Sequence, residues 1–361
     1  MTAMPDSERR LILPVPNLGV TRVWEVGRVR FHPAGAVGDL VEEARLGTPG
    51  PGPAWYQELV TSKGSELDRW AVADVTAAGI DEAIAQVSSA LAVLRIVQHT
   101  EHPMVDVRLQ GFGLPGQVMS ASIDYLDLTQ GPAWGWQRLG AATGWTLNDQ
   151  AHDTWAGDPA YRFTDAALTQ AEAARTPLQR RALIAIDLLS QAWLSWQPDV
   201  ALLNSVMALE VLLGEPDDSA KKFRLARRVC YFVCGWPGDR YPDGRRPSCP
   251  YLALPIDRKG RPGPDLDKIL RGGRQGAYDD DIYCSQFFDV LDLYDDRNDV
   301  VHRGQLGLTQ REEGQATWFI ASWLLRPLLR WFSEHPHAEL AELDAEIAAL
   351  PARVSEPGNR H

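Results

Sequence analysis

The chain has 361 residues, 45% of them hydrophobic and 23% charged, the composition of an ordinary globular protein long enough for two domains. No apolar run is long enough to span a membrane, and the first ten residues lack the apolar core of a signal peptide, so a cytoplasmic protein is expected. A net charge of -12 excludes a generic nucleic-acid coat protein.

Residues 1–165 read as an α+β domain. Strands are expected at 23–31, 70–76, 105–112 and 118–126. In the third of these, Val105, Val107 and Leu109 alternate with Asp106 and Arg108, the pattern of a half-buried strand. Ile84, Val87, Leu91 and Leu94 recur at helical spacing and predict a helix over 81–97, with Gly79 as the breaker before it. Prolines 49, 51 and 53 alternate with glycines and mark a loop. The stretch 111–116 imitates a dinucleotide-binding loop but contains Pro115 and no helix follows, so it reads as a hairpin connection. Trp134, Trp136, Trp145 and Trp155 read as a cover over one edge of the core; base stacking is the sharper alternative. The polar stretch 151–176 lacks strong periodicity and is placed as the domain boundary, with Pro177 opening the next helix.

Residues 176–350 read as all-α. A first helix over 178–196 carries Ala182, Ile186, Leu189 and Trp193 on one face. A second, over 200–213, is apolar on nearly all sides, as a central bundle helix should be, and Glu210 is its one carboxylate. That acid must be paired or protonated, and Arg297 is its natural partner. The pair is either a structural ion pair or a device in which Glu210 orients Arg297. A third helix, 221–233, opens a basic segment: residues 221–262 hold eleven Lys or Arg against three acids. Lys221, Lys222, Arg224, Arg227 and Arg228 are either a solvated face or a phosphate-contacting patch. Cys230 and Cys234 have no second cysteine pair to complete a zinc site, so free thiols in the core are expected, and no metal or cofactor. Residues 236–283 form a loop-rich insertion whose Asp279–281 run reads as a solvated turn.

A fourth helix is expected over 284–304, with an apolar stripe of Phe287, Val290, Leu291, Tyr294 and Val301. Arg297 and Asn298 fall where that stripe continues, and His302 shares a face with Asn298. A guanidinium in such a place needs an acid, an anion or water. Asp295, Asp296 and Asp299 crowd it and repel phosphate unless they are paired or turned away. A fifth helix, 309–332, has more apolar groups than one stripe holds, among them Trp318, Ile320, Trp323, Leu324, Leu328 and Trp331, which suggests a second subunit. Pro327 is expected to kink it. A last helix over 338–350 aligns Leu340, Leu343, Ile347 and Leu350.

The Arg297-Asn298-x-x-x-His302 pattern late in a helix resembles the signature of the HEPN superfamily. The Met207–Leu213 run, the polar break, the Arg-rich helix after it and the Trp-rich helix downstream resemble its ApeA-like branch, over residues 177–336. The resemblance implies a helical HEPN bundle, a homodimer that builds one cleft from two chains, and metal-independent endoribonuclease activity on RNA in prokaryotic antiviral defence or stress response. By that resemblance Arg297 stabilises phosphate, Asn298 positions it and His302 moves the proton. The chemistry suits the residue types. Histidine transfers protons near neutral pH, and the planar arginine fork holds a phosphorane. The residues 1–165 then form a sensor or regulator. The superfamily also holds non-catalytic members, so the alternative is an interaction module that binds a nucleotide, a nucleic acid or a protein.

Overall fold

The computed structural model describes residues 8–37, 39–40, 70–101, 122–127, 133–138, 145–147, 152, 156–195, 197–214, 221–232, 282–303 and 324–349. They fall into two units, Met1–Arg175 with Trp193–Trp196, and Thr176–Ala192 with Gln197–His361. The N-terminal region mixes strands and helices; the C-terminal region is helical among its described residues.

The first unit contains β1 (Arg9–Pro16), β2 (Leu18–Val20), β3 (Trp24–Val26), β4 (Val29–Pro33), β5 (Trp70–Ala77), β6 (Ser122–Asp127), β7 (Ala133–Arg138) and β8 (Trp145–Leu147). β1, β5, β4 and β3 form one antiparallel sheet in that order, with Leu13 opposite Ala73 and Val29 opposite Val75. β2 pairs with β8 in parallel, and β6 with β7 antiparallel. Leu13, Val15, Phe31, Ala73 and Val75 are buried, as are Val87, Leu91 and Leu94 of α1 (Ile80–Glu101), which packs against β5. A second apolar cluster gathers Ala34, Val37 and Val72 with Ile12 and Trp70. Beside it Arg10 grips Asp74 of β5 with two hydrogen bonds of 2.9 and 2.8 Å.

The expected strand over 23–31 is in fact two strands. Gly27 adopts a left-handed φ of +61° and turns β3 back into β4. A Cβ there would sit 2.5 Å from Leu168 Cβ, so glycine is also required by close approach. The turn is docked on α2 (Pro159–Thr169), which the boundary reading of 151–176 overlooked. Asp158 caps α2, Asp165 Oδ1 accepts from the Gly27 N–H at 2.6 Å, and the Tyr161 hydroxyl donates to the Glu25 carbonyl at 2.8 Å. Burial pushes the Asp165 carboxyl above its usual range, opposed by the Gly27 N–H and reinforced by Glu25. Burial likewise raises Tyr161, helped by Asp165 and Glu25. The strand expected at 105–112, the 111–116 connection and the loop at 48–53 lie outside the described residues, as do residues 118–121 before β6.

The second unit holds α3 (Pro177–Leu194) up to Ala192, α4 (Pro198–Leu213), α5 (Lys221–Cys230), α6 (Ile282–Arg303), α7 (residues 324–334) and α8 (Leu340–Ala349). Pro177 and Pro198 open their helices, where a missing N–H costs nothing. Thr176 and Gln179 form a reciprocal capping box at the start of α3, with bonds of 2.9 and 3.2 Å. α6 packs against both α5 and α4. Phe287, Phe288, Val290, Leu291 and Leu293 of α6 are buried, but Val301 is 51% exposed, so the apolar stripe does not run to Val301 as expected. α4 is not buried all round either, since Val200 and Met207 face outward. On α7, Leu324, Leu328 and Trp331 are buried within this chain rather than left for a second subunit. Residues 309–323, most of the 236–283 insertion, Cys234 and Leu350 lie outside the described residues; Cys230 is a buried free thiol. Among the described residues no helix is long and apolar enough to cross a membrane, and no three metal-ligating side chains converge.

Candidate functional site

Helical geometry divides the end of α6 into two sides. Tyr294 and Arg297 are three apart and lie toward α4. Asp295, Asn298 and His302 stand at i, i+3 and i+7 and share the other side. Asn298, next to Arg297 in the chain, joins the two: Arg297 Nη1 donates to Asn298 Oδ1 at 3.0 Å.

Arg297 is loosely held. Its guanidinium carbon is 5.8 Å from the Tyr294 ring centroid, within cation–π range. Its Nη2 is 3.9 Å from Glu210 Oε2 of α4, too far for a hydrogen bond, and the two side chains are 27% and 24% exposed. Arg297 Nε is buried and has no hydrogen-bond partner among the described residues. The end of α4 that carries Glu210 is itself well anchored. The Gly214 N–H donates to the Glu210 carbonyl at 2.7 Å, so close that a Cβ on Gly214 would strike that carbonyl. Arg181 Nη1 donates to the carbonyls of Val211 and Gly214 at 3.1 and 2.8 Å, capping the negative end of the helix dipole. Glu210 thus sits at a hydrogen-bonded helix end while its carboxylate stays 3.9 Å from the guanidinium.

His302 is exposed and makes no hydrogen bond among the described residues. The crowding aspartates are partly answered. Lys222 Nζ of α5 binds both Asp295 oxygens, at 2.9 and 3.1 Å, and Asp296 and Asp299 are half-buried with contacts of their own.

The basic residues of α5 do not form one patch. Arg228 is 1% exposed and is spent on structure: Nε and Nη2 hold Asp344 of α8 at 2.9 and 2.7 Å, and Nη1 donates to the Leu213 carbonyl. Arg228 therefore leaves the set of phosphate contacts expected from the sequence. Arg227 is half-buried beside it, and burial lowers its pKa while Asp344 opposes that shift. Arg224 is half-buried and engaged; the side chain of Lys221 lies outside the described residues. Lys222 is tied to Asp295 of α6. Close by Asp344, Glu346 of α8 accepts from the Tyr231 hydroxyl at 2.9 Å and from Trp331 Nε1 at 3.1 Å, with His335 stacked on Trp331 at 4.5 Å. Sequence reasoning missed both α8 carboxylates, because Asp344 and Glu346 look like the solvated face of a terminal helix.

In comparisons with protein-family models, curated proteins and solved structures, none matches this chain.

Proposed function

We propose that the helical unit is a HEPN-type bundle and that the end of α6 is a metal-independent endoribonuclease site. The observation that carries this reading is the state of Arg297: a partly buried guanidinium that, among the described residues, makes one hydrogen bond, has one buried N–H without an acceptor, and faces a carboxylate beyond hydrogen-bonding reach. A buried donor left unmade costs stability, and a phosphate oxygen would supply the missing acceptor. Glu210 then orients the guanidinium without consuming it, and Asn298 fixes Nη1.

In the reaction, the RNA 2′-hydroxyl attacks the adjacent phosphorus. A 2′-O–P bond forms as the P–O5′ bond breaks. His302 accepts the 2′-proton, Arg297 stabilises the charge on the phosphorane, and a proton is returned to the departing 5′-oxygen. The products are a cyclic phosphate and a 5′-hydroxyl, and no metal takes part. A homodimer that brings two α6 ends into one cleft, action on cytoplasmic RNA in antiviral defence or stress response, and a sensing role for the N-terminal unit belong to the same reading.

The exposure of His302 favours one competing reading, a non-catalytic module that binds nucleotide, nucleic acid or protein, since no described residue orients the ring. One experiment separates them. Purified full-length protein is incubated with total RNA and a chelator, beside His302→Ala and Arg297→Ala. The endoribonuclease reading expects cyclic-phosphate ends from the parent and neither variant cutting. A folded His302→Ala protein that cuts at the parent rate, or a parent that never cuts as a dimer, overturns it.

A further inference from the structure

Resting on that reading of α6, we infer that Lys222 sets RNA affinity by shielding Asp295, so that the side of α6 bearing Asn298 and His302 accepts a polyanion. Three observations meet here. Asp295, Asn298 and His302 share one side of the helix, and seven residues place Asp295 about 10 Å along the axis from His302. That is close to one Debye length at physiological salt, so an unshielded carboxylate there repels an approaching phosphate. Asp295 is 59% exposed and thus faces solvent, where RNA would come, rather than the core. Lys222 reaches it from α5, contacts both oxygens, and lies over the Phe223 ring with its Nζ 5.5 Å from the centroid.

The pair contributes little to stability at such exposure. Its effect is on the local field: with Lys222 in place the Asp295 charge is matched, and without it that carboxylate stands open beside the approach to His302. Lys222 therefore acts through Asp295 and is a positioning residue, not a catalytic one. Arg228 of α5 is held by Asp344 and Leu213, whereas Lys222 bonds directly to this side of α6.

The test uses full-length protein and a 2′-O-methyl RNA that cannot be cut, with binding read by fluorescence anisotropy at low and high salt. Cleavage of ordinary RNA by the same proteins is followed as KM and kcat. Lys222→Ala is expected to weaken binding about two- to fivefold at low salt, to raise KM with kcat unchanged, and to match the parent at high salt. Asp295→Asn should bind at least as tightly as the parent. The decisive protein is the double variant Lys222→Ala/Asp295→Asn, which should return to parent affinity because the carboxylate that Lys222 shields is gone. A double variant as weak as Lys222→Ala overturns the inference, since Lys222 would then touch phosphate itself. A Lys222→Ala protein that binds and cuts like an active parent overturns it and leaves the reading of α6 intact. A parent that neither binds nor cuts either RNA removes that reading, and this inference with it.

Discussion

At the junction of α5 and α8, Arg228 is almost wholly buried, all three guanidinium nitrogens donate, and Asp344 is met by two bonds under 3 Å. At the junction of α4 and α6, Arg297 is a quarter exposed, only Nη1 donates among the described residues, and Glu210 stays 3.9 Å away. Both are arginine–carboxylate pairs within one helical unit, and a count of charges treats them alike. Their donors separate them. A guanidinium removed from water is tolerable only when its N–H groups are matched, so the closed pair is a fastening of the fold. The open pair leaves donors over, and that surplus is what an anion can use. Glu210 is open to two roles, structural partner or orienting group; at 3.9 Å it pairs with Arg297 by charge without a hydrogen bond.

The largest expected effect tests the closed side. Arg228→Ala orphans Asp344 and the Leu213 carbonyl, and should cost about 3–5 kcal/mol in urea unfolding. Arg228→Ala/Asp344→Ala should recover part of that loss, because no unpaired charge remains. An intermediate effect belongs to Arg181, which caps α4 through two backbone carbonyls: Arg181→Ala should lower stability by about 1–2 kcal/mol as these are freed.

Asp165 in the N-terminal unit extends the comparison to a carboxylate that accepts a hydrogen bond from the backbone N–H of Gly27. Its folded pKa is raised, mainly by burial, so the ionised form opposes folding. The sign is the reverse of a salt-bridged acid. The penalty is absent below the ordinary value of 3.8, grows as pH climbs toward the raised value, and is complete above it. Asp165→Asn keeps an oxygen for Gly27, so it should melt higher than the parent at pH 7 and lose that advantage as pH falls through this window. An advantage independent of pH would show that ionisation of Asp165 is not its source. The smallest effect is expected at the open pair. Arg297→Ala should change unfolding free energy by no more than about 1 kcal/mol. A loss as large as that of Arg228→Ala would erase the distinction and make Arg297 a structural residue.

Much of the secondary structure is legible from periodicity alone. Helices expected at 81–97, 178–196, 200–213, 221–233 and 338–350 overlap α1, α3, α4, α5 and α8 with ends shifted by a few residues, and the strand at 70–76 is β5. Such stretches carry their own signal, because one buried face repeats every turn or every second residue. β1 escaped because Pro14 and Pro16 argue against a strand; they are admitted because β1 is an edge strand of the sheet, where a missing N–H breaks no ladder. The run 23–31 looked continuous because alternation does not register a reversal that one glycine can make.

At the candidate site, the sequence by itself determined what lies within two turns of one helix: Arg297 beside Asn298, and Asn298 in line with His302. Which charges are occupied was decided only by tertiary structure. Lys222 finds Asp295 across 73 positions and Arg228 finds Asp344 across 116. Two arginines of α5 one residue apart, Arg227 and Arg228, read identically in the chain, and yet Arg228 is buried and bound through every nitrogen. The reason is physical. A helix repeats every 3.6 residues, so neighbours in sequence point about 100° apart, and only the packing of the other helices says which direction is core, which is partner and which is open to a ligand.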